Sequence, residues 1–368
     1  MERPIRVGLI GVGWGSIVQV PAFRMLPEFE VAALCSRRTE SVEAAGEKLG
    51  IDDRSTDWRE FVRRDDLDLI SVCTPVDLHA DQVISVVEAG KHVLCEKPQA
   101  LRSDDARRML DAARAAGVAH AVCFENRYDP ARLAIWQAVR EGALGTPYFA
   151  RAHASADYWH PTRGLQSEWM YRLEEGGGYL MGMASHDIDY AMALFGEPSA
   201  VCADVRTTLP KRQRPDGSTL EVDADDTAVL LLRMHNGALV TVSCSAVGLG
   251  RNHRELELLG SAGSISASGA VMGAEPRVEW MRVGDDASRP LDPSTRMPRS
   301  GIELPKRRAA GAIRSLALML EDWLPAFDGE PVPGVPDLAS GWRVQCVIDA
   351  ARRSAAGEGW VELPPWTD

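Results

Sequence analysis

Ile5-Arg6-Val7-Gly8-Leu9-Ile10-Gly11-Val12-Gly13-Trp14-Gly15-Ser16 joins a short apolar run to a glycine-rich turn and then to a helix-like stretch reaching residue 26. Glycine at 11 permits a tight bend, and glycine at 13 lets the backbone approach a pyrophosphate closely. The helix that follows offers its unpaired N–H groups to phosphate oxygens. Trp14 and Gly15 lie inside the turn. Ser16 stands where the fingerprint has its third glycine and is still small enough for close helix packing. Alone the pattern is weak, and its position at the head of an alternating series gives it meaning.

That series runs through the first third of the chain. Residues 30–35, 67–73, 92–94 and 118–124 read as strands, and residues 40–49, 80–89 and 103–116 as helices. Strands alternating with helices at this spacing predict a parallel, doubly wound sheet whose ligand sits at the carboxyl ends of the strands. The second strand ends in Cys35-Ser36-Arg37-Arg38. An acidic residue about 20 positions after the glycines would hold the ribose hydroxyls of NAD. Here a hydroxyl and two guanidinium groups occupy the place, which points to the 2′-phosphate of NADP. The competing reading makes Arg37 and Arg38 a solvated helix entry.

At 368 residues, two domains are the default expectation. The composition, 45% apolar and 26% charged, is that of a folded soluble chain. A formal net charge of -12 argues against a nucleic-acid partner. No apolar run approaches the roughly 20 residues that span a bilayer. Met1-Glu2-Arg3-Pro4 leads straight into the first strand without a signal-peptide pattern. The cysteines at 35, 73, 95, 123, 202, 244 and 346 form no C-x-x-C pair, so neither disulfides nor a metal site is expected and the cytoplasm is the expected location. From residue 146 the pattern changes. Segments 146–156, 200–207, 227–234, 238–246, 254–259 and 264–268 read as strands with short, turn-rich connections, among them His235-Asn236-Gly237. That predicts a mainly antiparallel sheet. The expected fold is thus an α/β Rossmann dinucleotide-binding domain over 1–124, followed by an α+β domain over 125–368.

Further motifs follow in order: Thr74-Pro75-Val76-Asp77-Leu78-His79, then Cys95-Glu96-Lys97-Pro98, then Phe124-Glu125-Asn126-Arg127-Tyr128-Asp129-Pro130. Glu141-Gly142-Ala143-Leu144-Gly145, Gly176-Gly177-Gly178 with His186 and Asp189, and a closing helix over 341–357 complete the set. Taken with the glycine turn, this order resembles the Gfo/Idh/MocA family over nearly the whole chain. The resemblance implies that Thr74, Pro75, Leu78 and His79 line the nicotinamide side, that Glu96-Lys97-Pro98 carries the catalytic lysine, and that Arg127 belongs to the substrate side. It also implies an open second sheet, one face on helices and the other free for subunit contacts, hence a homo-oligomer (dimer or tetramer), with the closing helix returning toward the first domain. The implied activity is hydride transfer between a nicotinamide cofactor, NADP(H) before NAD(H), and a secondary alcohol or carbonyl of a sugar, cyclitol or related polyol.

The residues carry their own argument for Lys97. A lysine between an apolar strand and a proline, at the cofactor edge of a sheet, is an unusual place for a solvated charge. A neutral lysine there can take a hydroxyl proton, and a protonated one can return it. Simple pairing with Glu96 is the structural alternative. His186 and Asp189 are three apart and share a helix face with Tyr190 nearby; a satisfied core histidine is the alternative for His186. Many family members have an aspartate four residues before that histidine, and this chain has Gly182. The loop Tyr158-Trp159-His160-Pro161-Thr162-Arg163, with Trp169, Tyr171 and Arg172 after it and His153 on the strand before, offers aromatic faces and hydrogen-bonding groups to a sugar, or else packs as an ordinary loop. Residues 209–226 suggest a long hairpin loop. Residues 284–308, with Lys306-Arg307-Arg308, suggest an arm or a cover. Gly182 keeps two rivals open: a sensor that binds cofactor without turnover, and a redox-neutral enzyme using transient hydride transfer in glycoside cleavage or epimerisation.

Overall fold

The apolar runs of the first third form six strands in the computed structural model, which describes residues 3–270, 276–299 and 309–366. They are β1 (Ile5–Ile10), β2 (Phe29–Cys35), β3 (Arg54–Ser55), β4 (Leu69–Val72), β5 (His92–Cys95) and β6 (His120–Val122). Their order in space is β3-β2-β1-β4-β5-β6, with every pairing parallel. All four residues of β4 are buried, as expected of a strand with helices on both faces. One of those helices, Ser103–Ala116, buries Ala106, Met109, Leu110 and Ala113 at the three-and-four spacing of a single face. It has Asp104 and Asp105 in its first turn and Arg114 in its last, both favourable to the helix dipole.

Register decides where ligand chemistry can occur. Ile10 pairs with Cys35 and with Val72, Val72 with Cys95, and Cys95 with Val122. The next residues, Ser36, Gly11, Cys73, Glu96 and Cys123, therefore leave the sheet in one row along its carboxyl edge. The strand order reverses between β1 and β4, the switch point at which such sheets hold ligands.

The chain divides into two compact units, Met1–Asp129 with Arg296–Trp342, and Pro130–Thr295 with Arg343–Asp368. The sequence placed everything after residue 124 in one domain. The return of 296–342 to the first unit has visible causes. Phe327 packs edge-on to Phe29 and His92, at 5.9 and 4.8 Å between ring centroids. The Val122 N–H donates to the Pro336 carbonyl at 2.9 Å. Arg107 lies 4.9 Å from the Trp342 ring.

In the second unit the strands are β7 (Pro147–Ala156), β8 (Pro198–Arg206), β9 (Lys211–Gln213), β10 (Thr219–Glu221), β11 (Thr227–Met234), β12 (Leu239–Ser245), β13 (Asn252–Gly260), β14 (Gly263–Gly269), β15 (Arg277–Arg282), β16 (Arg289–Pro290) and β17 (Val361–Glu362). Nine of them form a sheet in the order β16-β15-β14-β13-β7-β12-β11-β8-β17, and β9 with β10 makes a small hairpin inside the predicted loop 209–226. The sheet is antiparallel except where β12 lies parallel to β7. Ala150 and Ala152 of β7, Val240 of β12, and Leu256 and Leu258 of β13 meet Tyr190, Ala191, Leu194 and Phe195 of the helix Ser185–Phe195. The alternate residues of those strands form the other face. Of the segment 284–308, residues 289–290 form β16, while Lys306-Arg307-Arg308 lie outside the described residues. The closing helix, Leu338–Arg353, begins in the first unit and ends in the second.

Candidate active site

Gly11 has φ +101°, and a Cβ there would stand 2.1 Å from the Cys73 carbonyl oxygen. The turn is therefore built for glycine by both conformation and space. At Gly13 a Cβ would meet nothing within 4 Å. The backbone there faces open space, as a pyrophosphate site requires. Ser16 is buried, and its hydroxyl donates to the Gly13 carbonyl at 3.1 Å, bracing the turn from inside. Trp14 is 40% exposed beside it. Ser36 is half-buried, while Arg37 and Arg38 are exposed at the start of the helix Thr39–Leu49. In kind these groups suit an adenosine dinucleotide: a glycine turn open to a ligand, and a hydroxyl with two exposed guanidinium groups just after β2.

The row at the carboxyl edge rests on a buried polar network. Gln19 is fully buried; its amide donates to Glu96 Oε1 at 3.0 Å, and its carbonyl oxygen accepts from Ser71 Oγ at 2.7 Å. Glu96 Oε2 accepts from the Lys97 backbone N–H at 3.1 Å. Burial raises the Glu96 carboxyl above its ordinary value, opposed by the Lys97 charge and the Gln19 bond. Lys97 itself is half-buried, and the peptide joining it to Pro98 is cis. His79 is buried, its Nδ1 3.1 Å from the Pro98 carbonyl and its Nε2 2.9 Å from that of Thr74. Burial lowers its pKa, and the neutral ring between the Thr74-Pro75 and Lys97-Pro98 turns has one N–H, which donates to one of these two carbonyls. Thr74 Oγ1 donates to Gln82 Oε1 at 2.7 Å, and Leu78 is 37% exposed nearby. Burial also holds the thiols of Cys73, Cys95 and Cys123 well above their usual range, which keeps them protonated. Arg127 is half-buried and donates to the Gly334 carbonyl at 3.3 Å.

In the second unit, a wide turn over Leu180–Ala184 leads directly into the helix carrying His186 and Asp189, both buried. Two buried groups hold it. Asp225 accepts from the Leu180 N–H at 2.7 Å, and its carboxyl is pushed up to about 6, chiefly by burial. Arg132 forms a buried ion pair with Asp187 and donates to the His186 carbonyl at 3.4 Å. The Tyr190 hydroxyl donates in turn to the Arg132 carbonyl at 2.7 Å. A Cβ at Gly182 would meet nothing within 4 Å, so the absent side chain leaves room rather than a filled site.

The aromatic loop divides. Trp159 is buried against Tyr171 and Tyr179, at 5.0 and 6.0 Å, and its carbonyl accepts from the buried Arg212; it is part of the packing. Arg163 is exposed and paired with Asp157 at 2.5 Å. Trp169 is half-buried, and Arg172 lies within 3.7 Å of Glu168 and 3.5 Å of Glu175. Tyr158 is half-buried with its hydroxyl turned inward. His153 bonds Ser243 Oγ at 2.8 Å on the sheet face opposite the His186 helix, since it alternates with the buried Ala152 and Ala154. The structure thus separates His153 from His186. Gln19, Ser71, Arg132, Asp187 and Asp225 were not found from sequence. A glutamine in Ile17-Val18-Gln19-Val20 and a serine in Leu69-Ile70-Ser71-Val72 were the available signals.

A parallel sheet with its phosphate cradle at the switch point, and a lysine turn on the same edge, define a dinucleotide-binding oxidoreductase. Residues 5–124 match the oxidoreductase family with an NAD-binding Rossmann fold, and residues 133–266 match the GFO/IDH/MocA C-terminal domain. The chain belongs to the Gfo/Idh/MocA family. It is 30% identical to levoglucosan dehydrogenase of Pseudarthrobacter phenanthrenivorans, over 98% of both chains. Myo-inositol 2-dehydrogenase of Thermotoga maritima is 28% identical over 72% of this chain and 75% of that one. A solved levoglucosan dehydrogenase in complex with NADH and L-sorbose superposes with a TM-score of 0.85 at 28% identity, covering 98% of this chain and 99% of the other.

Proposed function

We propose that this protein is an NADP(H)-preferring dehydrogenase or reductase of a secondary alcohol or carbonyl in a sugar, cyclitol or related polyol. The observation that carries the reading is the Glu96-Lys97 turn, set on a buried network at the same sheet edge as the phosphate cradle. The relatives named above, dehydrogenases of levoglucosan and myo-inositol by name, support the substrate class. A bound nicotinamide supplies the hydride acceptor or donor.

The chain's own groups do the rest. The glycine turn holds the pyrophosphate, with Gly11 and Gly13 giving the close approach and Ser16 bracing it. Glu96, fixed by Gln19, holds the Lys97 backbone, and the buried His79 packs between the two turns and donates to one of their carbonyls. Lys97 Nζ takes the proton of the substrate hydroxyl in oxidation and returns it in reduction. His186, its backbone held by Arg132, serves to hold or relay a substrate proton. Arg37 and Arg38 contact the 2′-phosphate, favouring NADP(H) by about tenfold to a hundredfold at the strength of one charge-assisted bond. A homo-oligomer built on the open sheet face completes the reading.

The test follows absorbance of the reduced nicotinamide, with NADP+ and NAD+, over a panel of aldoses, inositols, anhydrosugars and sugar acids. Lys97→Ala should cut kcat by about a hundredfold or more with NADPH binding unchanged. Arg37→Ala with Arg38→Ala should remove the NADPH preference and leave NADH affinity unaltered. Silence across the panel with tight NADPH binding would reject the dehydrogenase, and equal NADH and NADPH affinities would reject the cofactor preference alone.

A further inference from the structure

Two phenols in the second unit are placed where the fold has no use for their hydroxyls. Tyr179 is 5% exposed, and its buried hydroxyl has no hydrogen-bond partner among the described residues. The buried hydroxyl of Tyr158 has none either. Burial raises the Tyr179 phenol, so it stays a neutral O–H; Tyr158 and Arg254 are both near enough to act on its charge. A buried hydroxyl without a partner forfeits the hydrogen bonds it made with water, and native proteins seldom leave one so.

Arg254 of β13 lies on the helix side of the sheet, in register with the buried Ala154 and alternating with Leu256 and Leu258. Its Nη2 is 3.4 Å from the Met183 sulfur, so the guanidinium reaches the turn that carries Gly182. At Gly182, one helical turn before His186, the space of a side chain is open.

We propose that Tyr158, Tyr179 and Arg254, with the open space at Gly182, form the subsite that holds the non-reacting oxygens of a hydroxylated ring. The inference rests on the dehydrogenase reading above and gives its substrate a shape. A sugar or cyclitol hydroxyl both donates and accepts, which suits a phenol, and ring or carboxyl oxygens accept from the guanidinium. A substrate without such oxygens would leave the buried phenols unpaired and be rejected, the strong form of specificity that hydrogen-bonding sites have over apolar ones. The space at Gly182 admits a ring substituent that a larger residue would exclude.

Tyr179→Phe, Tyr158→Phe, Arg254→Met and Gly182→Leu would be assayed on the substrate the panel yields and on its singly deoxygenated analogues. Tyr179→Phe should raise KM about tenfold with kcat within about twofold. That penalty should vanish on the one deoxy analogue lacking the matching hydroxyl, a pattern a structural defect would not produce. Gly182→Leu should raise KM without changing NADPH affinity. Arg254→Met acting on sugar acids alone would place a carboxylate there, and acting equally on neutral sugars would place a hydroxyl; no effect on either would remove Arg254 from the subsite. Should nothing be turned over, thermal shifts with myo-inositol, levoglucosan, glucose and gluconate test the subsite separately. Stabilisation that depends on Tyr179 would sustain it while the dehydrogenase falls. Unchanged KM in both phenylalanine variants, or ligand stabilisation indifferent to them, would mean that buried water alone meets the phenols, and would overturn the proposal.

Discussion

Gly11 and Gly13 stand two residues apart and answer to different demands. Gly11 is required by the fold, because its φ and the Cys73 carbonyl both exclude a side chain. Gly13 has room for one, so only a ligand can require it to be glycine. Gly11→Ala should therefore destabilise the protein by roughly 1–3 kcal/mol, read as a lower denaturation midpoint. Gly13→Ala should unfold like the native chain and yet lose most of its NADPH affinity; an undiminished affinity by calorimetry would dismiss the close approach of backbone to pyrophosphate. The glycines and Lys97 were legible because their signals are local, a turn and a strand end a few residues long. Gln19 was not, since its partners Ser71 and Glu96 are 52 and 77 residues away in the chain. His79 and Trp159 show the same limit. Sequence marks one as a polar residue at the strand edge and the other as an aromatic in a candidate loop, but only packing reveals that carbonyls flank both imidazole nitrogens and that the indole is buried among tyrosines.

Between residue and domain, the element that matters most is the turn Leu180–Ala184 with its helix, and Asp225 is its anchor. The Asp225 carboxyl titrates near 6 rather than 3.8 because burial penalises its charge more than the Leu180 N–H compensates. A carboxyl raised in the folded state binds its proton more tightly there than when unfolded. Its contribution to stability is then fully present below about pH 3.8 and disappears as the pH climbs through 6. The span corresponds to a loss on the order of 3 kcal/mol. Asp225→Asn removes the titration and keeps an acceptor for Leu180. Urea midpoints taken from pH 4 to 8 should fall for the native protein relative to Asp225→Asn, with the change centred between those values; parallel curves would show that the carboxyl does not carry it. At this scale sequence served well for apolar runs set between turn-rich segments, such as Thr227–Met234, whose bounds were read correctly. It could not foresee that β12 runs parallel to β7, because strand direction depends on which neighbour a strand finds and not on its own pattern. The two-residue strand β3 was too short to carry a period.

Over the whole chain, sequence order and spatial unit diverge. Residues 296–342 follow the second sheet yet belong with the first unit, through ring packing at Phe327 that no local pattern announces. The second sheet raises the question of its uncovered face. Along that face Leu259, Phe149 and Leu239 stand side by side on β13, β7 and β12, the two leucines 37% and 38% exposed, and Val229 on β11 is 47% exposed. An apolar row flanked by Arg151, Glu255 and Glu257 is the makeup of an interface with a polar rim, and a stable pairing needs about 800 Å² from each partner. A nine-stranded face can supply that area where an isolated patch cannot. The occupant proposed is a second copy of the chain, since one symmetric patch can serve both partners of a twofold pair. Light scattering should then give a dimer or tetramer for the native protein. Leu239→Glu, which sets a charge at one end of the apolar row beside Phe149, should shift the mass toward a monomer. Leu249→Glu, in the turn between β12 and β13 at a residue already 62% exposed, should leave it unchanged. A native monomer, or a Leu239→Glu protein of unaltered mass, would leave the face without the partner proposed for it; equal dissociation by both variants would move the contact from the face to its edge.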